Sequence, residues 1–173
     1  MGNRLDGTRN EWNRMALSNF SWVIPGRLAG CDLPGDGVRS AVALRHDMEF
    51  LAGERVRMLV SLERPQGPVA AICSEFGIRW RFFGIPDFGV PESGRRFAAL
   101  VDECVTSFSG DAPVCVHCRA GVGRTGMVLA CLVGKYLHLD AGKAVATVRA
   151  LRNAVENEAQ NAFIRSFLEV YES

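Results

Sequence analysis

A cysteine and an arginine stand with five residues between them in the segment HCRAGVGRTG, where they are Cys118 and Arg124. Residues 114–117 before the cysteine predict a short buried strand, and the residues from Arg124 onward predict a helix. Two of the intervening residues are glycines, so the loop can curl until successive backbone N–H groups point inward and bind an anion. The N-terminus of the helix adds unpaired N–H groups and the positive end of its dipole. The spacing therefore predicts a phosphate-binding loop that carries a nucleophile.

Each residue type in this segment has a task in cleaving a phosphate ester. The anion-binding loop favours the thiolate of Cys118, which is the nucleophilic form of the side chain. Arg124 can grip two phosphate oxygens with its planar guanidinium. Thr125 can donate its hydroxyl to the sulfur when the thiol leaves, and we expect His117 to hold the loop through hydrogen bonds of its ring. The phosphate-binding loop itself consists of Arg119, Ala120, Gly121, Val122, Gly123 and Arg124.

The same chemistry needs a general acid that protonates the leaving oxygen. Asp87 is the candidate, because it lies in the Gly- and Pro-rich segment 84–94, which predicts a loop able to close over the site. Arg119, Arg95 and Arg96 are candidates for positive charge at the rim, although the last two open a predicted helix and fit a solvated face equally well. Because the protein supplies the cation, the dipole and the nucleophile, we expect no metal and no cofactor.

The rest of the sequence predicts the elements that position this loop. Short apolar runs bounded by turns alternate with stretches of helical periodicity. The predicted strands are 20–24, 27–30, 56–62, 78–83 and 114–117. The predicted helices are 38–52, 68–76, 95–108, 124–137, 141–151 and 159–171. This alternation predicts a single α/β domain with a central, mostly parallel sheet that is flanked by helices on both faces.

Length and charge limit the classes of partner. A chain of 173 residues suits one domain, which we assign to residues 19–173 after an N-terminal leader, 1–18. The formal net charge of +1 provides no field that would favour nucleic acid or an anionic membrane. The apolar stretch 127–133 is far shorter than the roughly 20 residues of a membrane-spanning helix. The N-terminus has no apolar signal-peptide core. We therefore expect a cytoplasmic monomer without nucleic-acid or membrane partners.

The six cysteines allow several interpretations, of which buried free thiols in a reducing compartment is the one we favour. Four are scattered singly among apolar residues, as buried thiols usually are: Cys31, Cys73, Cys104 and Cys131. Cys115 and Cys118 form a C-x-x-C, which could be a redox pair or half a zinc site. No second C-x-x-C or H-x-x-x-H follows. Their odd separation along a predicted strand directs the two side chains to opposite faces.

The segment HCRAGVGRTG resembles the signature H-C-x5-R-[ST] of the protein tyrosine and dual-specificity phosphatase superfamily. The resemblance is closest to the small atypical dual-specificity phosphatases, whose N-terminal region is similar to NFSWVIPGRLAG and whose acid loop resembles IPDFGVP. It covers residues 19–171 and implies the cysteine-dependent phosphatase fold. By this resemblance Cys118 is the nucleophile, Arg124 binds the phosphate and Asp87 is the general acid.

The resemblance extends to Gln160, which is similar to the glutamine of a C-terminal helix that orients the attacking water. Before it, the chain reads Arg152-Asn153-Ala154, where the family has Arg-Pro-Gly and one more residue. This departure bears on the geometry of the turn and on the reach of Gln160.

The implied function is metal-independent hydrolysis of phosphoproteins through a phosphocysteine intermediate. We expect phosphotyrosine to be preferred, with phosphoserine and phosphothreonine as further substrates of a shallow site. The same chemistry on phosphoinositides is disfavoured, because Val122 stands where the similar loop CKAGKGRTG of phosphoinositide 3-phosphatases has its second lysine. RNA 5′-triphosphate is disfavoured by the near-neutral composition. A phospho-binding module without turnover would lack the nucleophile, the acid or the arginine, and all three are present.

Overall fold

The computed structural model describes residues 17–35 and 41–171, and its centre is a five-stranded sheet. The strands are β1 (Ser21–Ile24), β2 (Leu28–Cys31), β3 (Met58–Ser61), β4 (Arg79–Phe82) and β5 (Val114–His117). Their order across the sheet is β1-β2-β5-β3-β4. β1 is antiparallel to β2, and all the other neighbours are parallel. The predicted mostly parallel sheet is confirmed.

Helices cover both faces of this sheet. They are α1 (Ala41–Gly53), α2 (Val69–Glu75), α3 (Gly94–Ser109), α4 (Gly123–Leu137), α5 (Ala141–Arg149) and α6 (Glu158–Tyr171). Alternate strand residues contribute to two apolar clusters. One contains Val114 and Val116 of β5 together with α3 to α6, and the other contains Cys115 together with α1 and α2. β5 is fully buried because both of its faces and both of its edges are covered.

The register of the parallel strands brings the site to one edge of the sheet. Cys31 at the end of β2 and Ser61 at the end of β3 both pair with His117 at the end of β5. Phe82 at the end of β4 pairs with Ser61. The four segments that follow these residues therefore leave the sheet side by side. The carboxyl ends of parallel strands are where α/β folds bind ligands.

The observed elements depart from the predicted ones mainly at their ends. Helix α4 begins at Gly123 instead of Arg124, because the N–H of Gly126 already donates to Val122 O at 2.8 Å. Helix α5 ends at Arg149 instead of residue 151, where the chain turns. Residues 38–40 of the first predicted helix, and 1–16 of the predicted leader, lie outside the described residues. The boundary between leader and domain stays a prediction.

No helix within residues 17–35 and 41–171 has the length and apolar character needed to cross a lipid bilayer.

Candidate active site

The loop between β5 and α4 is held in place by hydrogen bonds that its carbonyl groups accept. Each carbonyl from residue 118 to residue 122 accepts a hydrogen bond of 2.7–3.0 Å. The donors are, in order, His117 Nδ1, Leu33 N, Asn19 Nδ2, Arg152 Nη2 and Gly126 N. In a trans peptide the N–H points opposite to the preceding C=O, so the N–H groups of 119–122 point away from these donors. None of these four N–H groups has an acceptor in the described part of the chain. N–H groups without partners on one side of a loop are able to bind an anion.

Arg124 closes this loop with a guanidinium that is held on three sides. Its side chain is only 5% exposed. Nη1 donates to Ile85 O at 3.0 Å, and Nη2 lies 2.8 Å from Glu63 Oε2 and 2.9 Å from Asp87 Oδ1. The second oxygen of Glu63 pairs with Arg119. Because the guanidinium is planar, these contacts fix the direction of its remaining N–H groups.

Asp87 lies over the loop because the segment that carries it is tethered at two points. Ile85 O accepts from Arg124, and Phe88 O accepts from Asn157 Nδ2 at 2.9 Å. Between these tethers the Asp87 side chain is 63% exposed and reaches Arg124. Phe88 adopts φ = 55°, a left-handed conformation that turns the chain sharply after the aspartate. The carboxylate therefore lies within reach of both the loop and solvent.

A chain of hydrogen bonds fixes His117 and its tautomer. The ring is fully buried, with Nδ1 3.0 Å from Cys118 O and Nε2 2.6 Å from Ser61 Oγ. A carbonyl can only accept, so Nδ1 carries the proton and Nε2 accepts from the Ser61 hydroxyl. The Ser61 oxygen accepts in turn from Trp80 Nε1 at 2.8 Å. Burial lowers the pKa of His117 to about 4, because a charged ring would lose its hydration. The neutral ring thus donates to the loop backbone through Nδ1 and accepts from Ser61 through Nε2.

Arg152 braces the loop from below and is 7% exposed. Nη2 donates to Gly121 O at 2.7 Å and to Asn19 O at 3.1 Å, while Nη1 donates to Ser21 Oγ at 3.0 Å. Burial lowers the pKa of this guanidinium from its ordinary value. Gly121 adopts φ = 72°, and a side chain there would overlap the carbonyl of Cys31. The curvature of the loop thus depends on a glycine and a buried arginine.

Two of the predicted site residues keep buried polar atoms unpaired. Thr125 is fully buried and its hydroxyl has no hydrogen-bond partner among the described residues, so the predicted bond to the Cys118 sulfur is not formed. Gln160 is also fully buried. Its Oε1 accepts from Glu156 N at 2.9 Å, and its Nε2 has no partner within the same part of the chain. The short turn after Arg152 therefore still anchors Gln160 in the interior.

The remaining cysteines behave as core residues. All six are free and buried, and Cys115 lies in the apolar cluster on the opposite side of the sheet from Cys118. Burial raises the pKa of the Cys73 thiol to about 11 and that of Cys104 to about 12. Within the described ranges, no three His, Cys, Asp or Glu side chains gather as metal ligands would. Cys115 and Cys118 of the C-x-x-C thus lie on opposite faces of the sheet.

The structure brings Asp87, Arg124 and the loop together, with Cys118 buried at the start of the loop. Gln160 lies at the adjoining turn, whereas Arg95 faces a groove against α6. Glu63, which was not predicted from the sequence, pairs with two arginines of the loop. Four further residues were missed as supports of the loop and its acid segment: Ser61, Trp80, Arg152 and Asn157. Only the position of Glu63, directly after a buried strand that ends at the same edge, offered a signal.

Comparisons with known sequences place this geometry in a family. Residues 17–164 match the sequence model of the family described as "PTP-SAK: Swiss Army Knife protein, DSP-PTPase phosphatase domain". Protein tyrosine phosphatase domain-containing protein 1 of Mus musculus is 31% identical over 140 residues, which cover 77% of this chain and 17% of that protein. The protein of the same name from Danio rerio is 34% identical over 96 residues, 54% of this chain and 13% of that protein. The chain thus spans less than a fifth of these curated relatives.

Solved structures share the fold. Tk-PTP in its active form has a TM-score of 0.74 at 21% identity, with 88% of this chain and 97% of that chain covered. Kinase associated phosphatase (KAP) has a TM-score of 0.72 at 20% identity, covering 90% and 95%. PTPMT1, solved in complex with PI(5)P, has a TM-score of 0.73 at 13% identity, covering 88% and 96%. With the family match over most of its length, the chain belongs to the DSP-PTPase phosphatase domains of the protein tyrosine and dual-specificity phosphatase superfamily.

Proposed function

We propose that this chain is a metal-independent phosphomonoester hydrolase that acts on phosphoproteins through a phosphocysteine intermediate on Cys118. The observation that carries the proposal is the convergence of a buried cysteine, an anion-binding loop and an Asp87–Arg124 contact of 2.9 Å at one edge of the sheet. A nucleophile, a phosphate cradle and a proton donor are the complete set that this reaction needs.

In the first step, the thiolate of Cys118 attacks phosphorus, and the sulfur–phosphorus bond forms as the bond to the leaving oxygen breaks. Arg124 and the N–H groups of 119–122 bind the phosphoryl oxygens as charge redistributes among them. Asp87, as the carboxylic acid, gives its proton to the leaving oxygen. The entering phosphate replaces Asp87 at Nη2 of Arg124, while Glu63 keeps its contact with the same nitrogen.

In the second step, water attacks the phosphocysteine and the sulfur–phosphorus bond breaks. Asp87, now a carboxylate, takes the proton of the water, and Thr125 donates its hydroxyl to the departing sulfur. Gln160 orients the water through Nε2. Thr125 Oγ1 and Gln160 Nε2, two of the four buried side-chain atoms without a hydrogen-bond partner among the described residues, support these roles, because an interior polar atom without a partner is costly unless a reactant supplies one.

Phosphotyrosine is the substrate that we propose as preferred. The Phe88 side chain is 63% exposed and follows the proposed acid directly, so an aromatic surface lies at the rim where a phenyl ring would stand. Aromatic pairs gain from such contacts beyond the area that they bury. The matching curated relatives are named for a protein tyrosine phosphatase domain, which also favours this substrate class.

Phosphoinositides are the competing substrate, because PTPMT1 has the same fold and was solved with PI(5)P. The loop of this chain argues against a highly phosphorylated headgroup. Val122 is uncharged, and the charge of the exposed Arg119 is shared with Glu63. RNA 5′-triphosphate would need a basic track for the chain that follows, which the net charge of +1 does not favour.

The test is hydrolysis of para-nitrophenyl phosphate with EDTA present, comparing wild type, Cys118→Ser and Cys73→Ala. Cys73 is a matched control, because it is a buried thiol of α2 in the cluster on the other face of the sheet. We expect EDTA-resistant turnover in wild type and in Cys73→Ala, with none in Cys118→Ser. Full turnover in Cys118→Ser contradicts the mechanism. Parallel assays on phosphotyrosyl, phosphoseryl and phosphoinositide substrates then rank the substrate classes.

A further inference from the structure

Arg64 lies one residue beyond Glu63, at the edge of the sheet that carries the phosphate-binding loop, and its guanidinium is stacked on two aromatic rings. The guanidinium carbon lies 4.4 Å from the centroid of the Phe82 ring and 5.7 Å from that of Trp80. The two rings are 6.2 Å apart and project from the same face of β4, two positions from each other. A cation over aromatic faces is attracted by their quadrupoles, so these rings hold Arg64 in place. We call Arg64, Trp80 and Phe82 the arginine platform.

The charge of Arg64 is available for a ligand. Its neighbours Arg119 and Arg124 both pair with Glu63, whereas Arg64 makes neither an ion pair nor a hydrogen bond within residues 17–35 and 41–171. Its side chain is exposed. The rings cover the face of the guanidinium, and its N–H groups, which have no acceptor in the described part of the chain, lie at the edge of the plane, where carboxylates and phosphates bind.

A groove of about 350 Å³ opens beside the arginine platform. Arg64 and Trp80 of the platform line it. The rest of its wall comes from largely apolar residues of the segment 65–71, among them Pro65, Pro68, Val69 and Ala71. A groove with apolar walls and one unpaired cation at its mouth fits a side chain that has a short hydrocarbon stem and a negative end. Aspartate and glutamate are the side chains with that chemistry.

The arginine platform is also tied rigidly to the phosphate-binding loop. Trp80 donates to Ser61, Ser61 donates to His117, and His117 donates to the carbonyl of Cys118. Three hydrogen bonds therefore connect the platform to the loop. A ligand that spans both places meets two binding groups at a fixed separation, which reduces the entropy lost on binding.

We propose that the arginine platform and its groove form a second anion-binding subsite, which receives the carboxylate of an acidic residue near the phosphorylated residue of a peptide substrate. The proposal rests on the proposed phosphatase function and names a preference within it. Charge complementarity decides the occupant, because the groove offers one cation and no carboxylate among its lining residues.

The test measures kcat/KM on two phosphotyrosyl peptides that differ only in having glutamates or glutamines beside the phosphotyrosine, with para-nitrophenyl phosphate as a reference. The variants are Arg64→Gln and the control Arg81→Gln, which removes an equal charge from the other face of β4, where Arg81 pairs with Glu103. We expect wild type and Arg81→Gln to prefer the glutamate peptide about fivefold, as for an exposed charge contact. We expect Arg64→Gln to lose that preference and to keep its activity on para-nitrophenyl phosphate.

Each other outcome has a distinct meaning. No activity of wild type on para-nitrophenyl phosphate refutes the proposed function and not the platform alone. An active wild type that cleaves both peptides equally overturns the subsite. A loss in Arg64→Gln that is equal on all three substrates also overturns it, because the arginine would then act through the loop. A loss confined to a soluble bisphosphorylated inositol lipid, measured in parallel, would assign the platform to a lipid headgroup instead of a peptide.

Discussion

Protonation of His117 should destabilise the fold at mildly acidic pH, by an amount that follows from the structure. The ring is fully buried, and both of its nitrogens are engaged, one as donor to Cys118 O and one as acceptor from Ser61. Burial lowers its pKa from 6.5 to about 4, because the imidazolium would lose its hydration. A proton on Nε2 would also meet the Ser61 hydroxyl, whose oxygen already accepts from Trp80.

The sign of the effect follows from the two proton affinities. Between pH 6.5 and about 4 the unfolded chain binds a proton at this histidine and the folded chain does not, so the free energy of unfolding falls as the pH falls. The contribution of the neutral His117 ring to the free energy of unfolding is fully present above pH 6.5 and is lost by about pH 4. At about 1.4 kcal/mol for each pKa unit, the whole loss is about 3 kcal/mol, of which about 2 kcal/mol falls between pH 6.5 and pH 5.

Urea denaturation at pH 7 and pH 5 measures this loss in wild type, His117→Asn and His138→Asn. The asparagine at position 117 can still donate to Cys118 O but takes up no proton. His138 is an exposed control with φ = 52°, a conformation that asparagine tolerates. We expect wild type and His138→Asn to lose about 2 kcal/mol more than His117→Asn does between the two pH values. Equal losses in all three proteins would refute the assignment of a buried, neutral His117.

Three further predictions concern the chemistry and the loop. Asp87→Ala should lower kcat about 100-fold for phenyl phosphate but at most about tenfold for para-nitrophenyl phosphate, whose leaving group needs no proton; equal losses would remove Asp87 from the acid role. Glu63→Ala should lower kcat about tenfold by releasing one side of the Arg124 fork, whereas Glu75→Ala, which breaks an exposed ion pair of α2, should change kcat by less than about twofold. Gly121→Ala should cost about 2 kcal/mol in chemical denaturation and abolish protection by phosphate in thermal unfolding, and a variant that phosphate still protects would contradict the described loop.

The parts of the site that the sequence predicts are those in which the chemistry is contiguous. His117 to Thr125 form one strand–loop–helix segment, and the glycine spacing alone indicates an anion-binding loop. Alternating apolar runs likewise predict the sheet and the helices on both of its faces, because burial on two sides leaves a plain signal in each strand. Asp87 could be chosen because its segment IPDFGVP resembles the acid loop of the family, although Glu92 in the same loop also follows a proline.

The parts that sequence reasoning missed depend on the register of the parallel strands. Glu63 lies 61 residues from Arg124, and Arg152 lies 31 residues from Gly121. The position of Glu63 after a buried strand becomes informative only once Ser61 is known to pair with His117. The same register places Trp80 where its Nε1 donates to Ser61, so that Trp80 is the outer member of the series of hydrogen bonds that fixes His117. Long-range contacts of this kind follow from topology and not from periodicity.

The contact between Asp87 and Arg124 has a consequence for the order of events in the proposed reaction. In the structure Asp87 pairs with Arg124, whereas the first step of the proposed reaction needs it at the leaving oxygen. A phosphate that binds Arg124 displaces Asp87 from this contact, and the aspartate is then free to act on the leaving oxygen. Glu63 is less exposed than Asp87 and stays bound to Arg124 when the phosphate replaces the aspartate there. Glu63 thus holds Arg124 in position for the phosphate, and Asp87, which the phosphate displaces from Arg124, acts on the leaving oxygen.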